Sequence, residues 1–208
     1  MAEVGAIVLA GGRGRRLAPD KGCRLVAGTS LVARVVRAAT AVAERVVVVG
    51  DAPLPTGIDL PVLHDEMPYA GPLHGLLLGL RALQTPVAML LAWDMPFVTP
   101  ELLRYLSRGL DGSAAAIPLV LGQPQPLCAA YAQSCAPVIE GMGDGVDLPM
   151  WALYPRLPVR WVNQHELAQY GDPRRLFFNV NTGADLELAQ DLAARGSAPH
   201  LSQSRRSF

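Results

Sequence analysis

A single lysine, Lys21, stands at the end of a glycine-rich segment, and arginine supplies the rest of the 18 basic side chains. Lysine carries a compact charge on a flexible stem, which suits a tight phosphate site better than the broad planar fork of arginine. The glycines of the segment Gly11 to Gly14 let backbone N–H groups come close to an anion. Together these features predict a phosphate-binding loop. The alternative is that an arginine-rich composition has left one lysine by chance.

This loop departs from two common phosphate-binding motifs. A Walker A motif ends in Gly-Lys-Ser or Gly-Lys-Thr, whereas this chain reads Asp20-Lys21-Gly22. A dinucleotide fingerprint needs a third glycine, where this chain has Leu17. Arg15, Arg16 and Lys21 place three cations in one short loop, which favours a triphosphate over a dinucleotide. We expect Arg16 to contact phosphate, and exposure to solvent explains Arg15.

Asp94 lies just after the apolar run Val87 to Ala92, which predicts a buried strand. A carboxylate at a strand end, followed by Met95-Pro96, is well placed to bind a hard cation. Mg²⁺ prefers one or two carboxylates together with phosphate oxygens and water. The alternative is an aspartate that satisfies N–H groups of its own turn. Next to a triphosphate loop, the Mg²⁺ interpretation is the stronger one.

Further polar side chains follow other predicted extended segments. Asp65 comes after a short apolar run, where it would bond a ribose hydroxyl, orient the loop or simply cap the strand end. Asn179 and Asn181 are two residues apart, so both would face the same way from an extended segment and meet a ligand or a metal-bound water. The alternative for this segment is helix capping by Asn181 or Thr182.

Apolar runs and helical patterns alternate along the chain and predict the elements that must position these residues. Predicted strands cover residues 4–10, 45–50, 60–63, 87–92, 114–118, 127–131 and 158–163. Predicted helices cover residues 31–43, part of 71–84, a segment that opens at 99–101, and 182–195. This alternation indicates an α/β fold with a mostly parallel central sheet and helices on both faces. Ligands bind beyond the carboxyl ends of such strands, so the glycine loop, Asp65 and Asp94 are expected to meet in one crevice.

Composition excludes several classes of protein. The length of 208 residues predicts one domain with a full hydrophobic core. The zero formal net charge predicts that the protein has no surface for binding polyanions. Aromatic residues make up only 6%, so we expect no nucleic-acid partner. The three cysteines form no CxxC pair, so no disulfide framework or structural zinc is predicted. No basic leader and no apolar stretch of ~20 residues is present, which predicts a cytoplasmic protein without a membrane partner.

Several short motifs occur in a fixed order along the chain. They are Leu-Ala-Gly-Gly at 9–12, Arg16, Asp20-Lys21, Gly71-Pro72-Leu73 with Gly75, Asp94-Met95-Pro96, Pro126-Leu127 with Tyr131, and Asn179-Val180-Asn181-Thr182. In this order they resemble the molybdenum cofactor guanylyltransferases of the MobA type, over roughly residues 4–195. The resemblance implies a single-domain, Rossmann-like nucleotidyltransferase fold over residues 1–195. The polar residues 196–208 are expected to form a disordered tail.

The same resemblance implies an activity and a set of ligands. GMP would pass from GTP to the phosphate of molybdopterin, with Mg²⁺ as cofactor and pyrophosphate as the second product. Transient contact with molybdenum-insertion proteins or molybdoenzymes is also implied. The implied roles are guanine and phosphate binding by the backbone of Leu9, Ala10, Gly11 and Gly12, phosphate contact by Lys21 and Arg16, a place near the nucleotide for Asp65, Mg²⁺ binding by Asp94, and a pterin-side position for Asn179 and Asn181.

Some features differ from the family pattern and leave further functions open. Arg16-Leu17-Ala18 stands where the family often has Arg-Met-Gly, and Gly141 to Tyr154 matches the pterin-side pattern poorly. The loop also resembles that of sugar-1-phosphate nucleotidyltransferases, which would make a sugar phosphate the acceptor. Cytidylyl transfer to the same pterin also stays open, as does nucleotide binding by a non-catalytic module.

Overall fold

A sheet of eight strands forms the centre of the described structure. The computed structural model describes residues 3–11, 21–64, 71–143 and 146–196. The sheet contains β1 (Val4–Leu9), β4 (Arg45–Val49), β5 (Val62–Leu63), β6 (Val87–Ala92), β7 (Ala115–Val120), β8 (Gln123–Pro124), β9 (Cys128–Ala132) and β10 (Val159–Val162), and a separate hairpin is made of β2 (Leu25–Val26) and β3 (Thr29–Ser30).

The strands follow the order β10-β7-β9-β6-β1-β4-β5, and β8 pairs with β7. β1 lies between β4 and β6 and runs parallel to both. The pairs β4–β5 and β7–β10 are also parallel. β9 runs antiparallel between β6 and β7. The predicted α/β fold with a mostly parallel sheet is therefore confirmed.

Helices cover both faces of this sheet. Their bounds are α1 (Leu31–Thr40), α2 (Pro72–Leu83), α3 (Pro100–Arg108), α4 (Cys135–Glu140), α5 (Gln164–Leu167), α6 (Pro173–Leu176) and α7 (Gly183–Gly196), and short 3₁₀ turns cover Lys21–Cys23, Met150–Arg156 and Ala168–Tyr170. α2 belongs to the apolar cluster on one face, and α1 and α3 belong to the cluster on the other. Within the described ranges, no helix combines the length and the apolar character needed to cross a bilayer.

β1 is buried on both faces, which explains its unbroken apolar sequence. Ile7 is in register with Val47 and Leu90, and all three pack in the cluster that contains α2. Ala6 and Val8 belong to the opposite cluster. Full burial of each large aliphatic side chain contributes about 1.5–3 kcal/mol. This burial holds β1 in place in the sheet, and with it the start of the loop that follows Leu9.

Two helices begin directly after a residue whose side chain caps them. Ser30 Oγ accepts a hydrogen bond from Ala33 N at 3.3 Å and caps α1. Thr99 Oγ1 accepts one from Leu102 N at 3.3 Å, and Pro100 is the first residue of α3. Both caps satisfy N–H groups that lack partners inside a helix.

A few predicted bounds were wrong. The third strand is reduced to Val62–Leu63, and α1 ends at Thr40 instead of near residue 43. α7, predicted to end near residue 195, ends at Gly196. The rest of the predicted tail, residues 197–208, lies outside the described residues.

Candidate active site

Three side chains from distant parts of the chain meet at the carboxyl end of β6. Lys21 Nζ donates to Asp94 Oδ2 at 2.6 Å and to Asn181 Oδ1 at 2.9 Å. The side chains of Lys21 and Asp94 are only 10% and 14% exposed. A charge-assisted bond in such a place is stronger than one on an open surface. The structure thus brings together the lysine, the aspartate and one of the two asparagines that the sequence singled out.

Lys21 is placed by the packing of its neighbour Gly22. Both belong to a short 3₁₀ turn, and both are buried. A Cβ atom built on Gly22 would overlap atoms Cε3 and Cζ3 of the Trp93 ring. Trp93 precedes Asp94 and is itself buried. Glycine therefore lets the turn lie directly on the strand end that carries the aspartate.

Asp94 presents one carboxylate oxygen to the lysine and leaves the other without a partner. Its Oδ1 atom is buried and makes no hydrogen bond within the described structure. The Asp94 carbonyl oxygen accepts from Val180 N at 3.0 Å, which joins this turn to the segment that carries Asn181. An unpaired buried oxygen costs free energy, commonly about 1–3 kcal/mol. Such an atom is a natural ligand for a cation.

Asn181 is held by the start of α7. Asp185 Oδ2 accepts from Asn181 N at 2.9 Å and from Thr182 N at 2.8 Å, and Asp185 N donates to Thr182 Oγ1 at 3.1 Å. The reciprocal bonds between Thr182 and Asp185 form a capping box, with Thr182 as the helix cap that the sequence allowed. Desolvation is the largest effect on the pKa of Asp185 and raises it, but the bonds from Asn181 and Thr182 and the charge of Lys21 together lower it.

Asn179 behaves differently from Asn181. Its Nδ2 atom donates to Phe177 O at 3.2 Å, within its own segment. The period-two pattern predicted that the two asparagines would act together, but only Asn181 contacts the lysine in the described structure.

Leu9, Ala10 and Gly11 lie between the ends of β4 and β6. Ala10 N donates to Val49 O at 2.8 Å, and the Leu9 carbonyl oxygen accepts from Trp93 N at 3.2 Å. Gly50 lies against Ala10 at a φ of +129°, where a Cβ atom would overlap the Ala10 carbonyl oxygen. Ala10 is buried, whereas Gly11 is exposed. Of these three residues, Gly11 therefore offers its backbone most directly to a ligand.

The model of the MobA-like NTP transferase domain family matches residues 6–157 of this chain. The chain belongs to this family. A probable molybdenum cofactor guanylyltransferase from Pelotomaculum thermopropionicum is 31% identical, over 93% of this chain and 95% of its own. One from Chloroflexus aggregans is 36% identical, over 88% of this chain and 92% of its own.

Solved structures agree with the family assignment. The molybdopterin-guanine dinucleotide biosynthesis protein A of Archaeoglobus fulgidus superposes with a TM-score of 0.77 at 28% identity, covering 92% of this chain and 99% of that one. A nucleotidyl transferase from Methanothermobacter thermautotrophicus has a TM-score of 0.72 at 24% identity, covering 93% and 99%. This second likeness supports the fold alone. The MobA-like chain thus has the nucleotidyltransferase architecture implied by its motifs.

Three of the predicted site residues of this MobA-like protein, Gly12, Arg16 and Asp65, lie outside the described residues. Their roles stay predictions. Within the described ranges, no group of three or more histidine, cysteine, aspartate or glutamate side chains is arranged to hold a metal ion.

Sequence reasoning missed one pair of polar side chains at the neighbouring strand ends. Asp51 Oδ1 lies 3.0 Å from His64 Nδ1, and both side chains are mostly exposed. Asp51 follows β4 in the same way that Asp94 follows β6. The position of Asp51 just after a predicted strand was therefore the sequence signal that could have identified this pair. The contact between Gly22 and Trp93 had no such signal, because it depends on the packing of the two segments.

Proposed function

We propose that this protein transfers GMP from GTP to the phosphate of molybdopterin, giving molybdopterin guanine dinucleotide and pyrophosphate. The observation that carries the proposal is the meeting of Lys21, Asp94 and Asn181 at the carboxyl end of β6. Curated relatives in the same family carry molybdenum cofactor guanylyltransferase in their names. Nearly the whole chain aligns with them, so the similarity includes the segment with Asn181.

The reaction is an in-line attack of a phosphate oxygen on the α-phosphorus of the triphosphate, and the bond to the departing pyrophosphate breaks. The attacking phosphate is already an anion at neutral pH, so no side chain has to remove a proton. The work left to the protein is positioning of the two phosphates and neutralisation of charge. This agrees with a site built from a cation, a carboxylate and an amide.

Lys21 supplies the fixed positive charge. An ammonium group has three N–H donors. Two of them are directed to Asp94 and Asn181. The third is then available to a phosphate oxygen without loss of the contacts that orient the side chain. In the same proposal Arg16 adds a second cation, Gly11 and Gly12 bind the nucleotide through their backbone, and Asp65 lies near the ribose.

Asp94 fits a role in Mg²⁺ binding. Its Oδ1 atom is buried and unpartnered in the described structure, and carboxylate oxygen is a ligand that Mg²⁺ prefers. Asp94 would hold the ion together with phosphate oxygens, and a bound Mg²⁺ would supply charge neutralisation at the triphosphate. Asn179 and Asn181 are assigned to the side of the acceptor.

Pyrophosphate release tests the proposal. The full chain is incubated with Mg²⁺ and GTP, CTP or ATP, each with and without molybdenum-loaded molybdopterin. We expect release with GTP only when the pterin is present. A preference for CTP would replace guanylyl by cytidylyl transfer, and release with a sugar 1-phosphate as acceptor would move the protein to that enzyme class. Nucleotide binding without any release would leave a binding module.

A further inference from the structure

A cavity lies next to the loop that begins at Asp94. Its volume is about 420 Å³. The walls come from α1, the loop before α3, and α6 with the turn before it. The lining residues are Arg34, Pro96, Phe97, Val98, Thr99, Tyr170, Gly171, Asp172, Arg175 and Leu176. Because Lys21, Asp94 and Asn181 are not among them, this cavity is distinct from the candidate active site.

Two chain segments connect the cavity with the active site, residues 94–99 and residues 172–181. At the active-site end, Val180 N donates to the carbonyl oxygen of Asp94. Farther along, the rings of Phe97 and Phe178 lie 6.4 Å apart between centroids. Three residues of chain reach at most about 11 Å, which limits the distance from the Asp94 Cα to the Phe97 Cα. The cavity therefore adjoins the candidate active site.

Two guanidinium groups line the cavity. Arg34 donates from Nε and Nη2 to Val26 O at 3.0 and 2.6 Å, which fixes its position against the β2–β3 hairpin. Arg175 lies over the ring of Phe97, with its Cζ 5.1 Å from the ring centroid. Within the described ranges neither forms an ion pair. Among the lining residues that the structure describes, Asp172 has the one carboxylate; it is exposed and accepts from Arg174 N at 2.9 Å as the cap of α6.

The described lining of the cavity thus carries more positive than negative charge. Both guanidinium groups are half-buried, so each has lost part of its hydration without gaining a carboxylate from the described part of the chain. Desolvation lowers the pKa of Arg34, and the neighbouring charge of Arg37 lowers it further. Guanidinium has five N–H donors in a rigid fork that matches oxyanions, and contact with an aromatic ring pre-orients it. Such a pair of arginines is prepared to bind an anion.

We propose that this cavity is an anion-binding subsite in which Arg34 and Arg175 bind a phosphate group or a similar oxyanion. Two sources of the anion fit this chemistry. One is an anionic group of the acceptor other than the phosphate that reacts, and only this source rests on the proposed function. The other is free phosphate in solution.

Titration of the full chain with inorganic phosphate, followed by amide NMR, tests the subsite. The amide chemical shifts of Val98, Gly171 and Leu176 report phosphate binding in the cavity, and they distinguish it from phosphate binding at Lys21. We expect saturable shifts at the cavity. Arg175→Gln should weaken phosphate affinity there by about tenfold or more, since a hydrogen bond to a charged group is worth about 1.5–3 kcal/mol.

Arg174→Gln is the matched control, because Arg174 is the exposed neighbour of Arg175 and does not line the cavity. Its phosphate affinity should equal that of the wild type. Absence of saturable shifts, shifts reproduced by equal ionic strength of chloride, or equal affinity in Arg175→Gln would overturn the subsite. Arg175→Lys keeps the charge, and partial recovery of affinity in it separates loss of charge from a folding defect.

Steady-state kinetics distinguish the two sources. If the acceptor supplies the anion, Arg175→Gln raises KM for the acceptor about tenfold and leaves KM for GTP unchanged. If free phosphate is the ligand, KM for the acceptor is unchanged while the NMR effect persists. Failure of the wild type to release pyrophosphate would contradict the proposed function alone, because the phosphate titration does not depend on activity.

Discussion

The ammonium group of Lys21 lies 2.6 Å from Oδ2 of Asp94, although the two residues are 73 positions apart. Each is also linked to the segment that follows residue 178, Lys21 through the Asn181 side chain and Asp94 through Val180 N. The site therefore depends on three chain segments at once. A change in any of them is expected to disturb the other two.

Replacement of Lys21 should be costly for turnover. Lys21→Ala removes the fixed positive charge, and loss of one electrostatic stabiliser typically costs ~100-fold or more in kcat. Lys21→Arg keeps the charge but not the compact shape, so we expect only partial recovery. Pyrophosphate release at saturating GTP and acceptor measures the effect. Full activity in Lys21→Ala would contradict the phosphate role.

Replacement of Asp94 should act through the metal ion. Asp94→Asn removes the charge of the buried Oδ1, and we expect turnover to fall by ~100-fold or more and to require a higher Mg²⁺ concentration. The measurement is pyrophosphate release as a function of Mg²⁺. Asp59→Asn is the control, because Asp59 is exposed and is not one of the predicted site residues. An unchanged Mg²⁺ dependence in Asp94→Asn would remove Asp94 from the metal site.

Replacement of Asn181 and replacement of Asn179 should differ in their effect on kcat/KM. Asn181→Ala breaks a hydrogen bond to the charged Lys21 and leaves the lysine less well oriented, so we expect about a tenfold or greater loss in kcat/KM. Asn179 does not contact Lys21 in the described structure and donates to Phe177 O within its own segment, so Asn179→Ala should cost less in kcat/KM than Asn181→Ala. Equal losses in the two alanine variants would show that the acceptor uses both side chains, as the period-two pattern alone predicted.

How far the sequence predicted this molecule depends on the length of each pattern. The unbroken apolar run at Val87–Ala92 predicted β6 with its observed bounds, because a strand buried on both faces excludes polar residues. Thr99 and Pro100 likewise predicted the start of α3. By contrast, α5 and α6 have four residues each, too few for a helical period, and they were missed.

Only part of the candidate active site could be predicted from the sequence. Lys21 and Asp94 could be paired because parallel strands end at one edge of the sheet. The bond from Lys21 to Asn181 and the local bond of Asn179 could not be predicted, because side-chain direction at the end of a loop is set by tertiary contacts. The position of Gly22 against Trp93 depends in the same way on packing between distant segments.

Gly22→Ala tests that packing. The added methyl group would overlap the Trp93 ring, and overpacking of this kind costs about 1–3 kcal/mol in the free energy of unfolding. Denaturant unfolding measures the loss, and turnover should fall as well because Lys21 is adjacent. The double variant Gly22→Ala with Trp93→Leu should recover part of the turnover lost by the single variant. Gly183→Ala is the control, since a Cβ atom there meets nothing within 4 Å. Equal stability of the two alanine variants would contradict the packing argument.

The capping box at α7 should make stability depend on pH in a defined direction. The pKa of Asp185 is lowered in the folded protein, because the bonds from Asn181 and Thr182 and the charge of Lys21 outweigh desolvation. Its contribution to the free energy of unfolding is therefore present above the unfolded pKa of about 3.9 and is lost as pH falls through the lower folded pKa.

Asp185→Asn should lower the free energy of unfolding at pH 7, and the difference from the wild type should shrink below about pH 4. Glu187→Gln, at an exposed position of the same helix, should show no such pH-dependent difference. A gap between Asp185→Asn and the wild type that stays constant from about pH 7 to about pH 3 would mean that the carboxylate charge plays no part in holding Asn181.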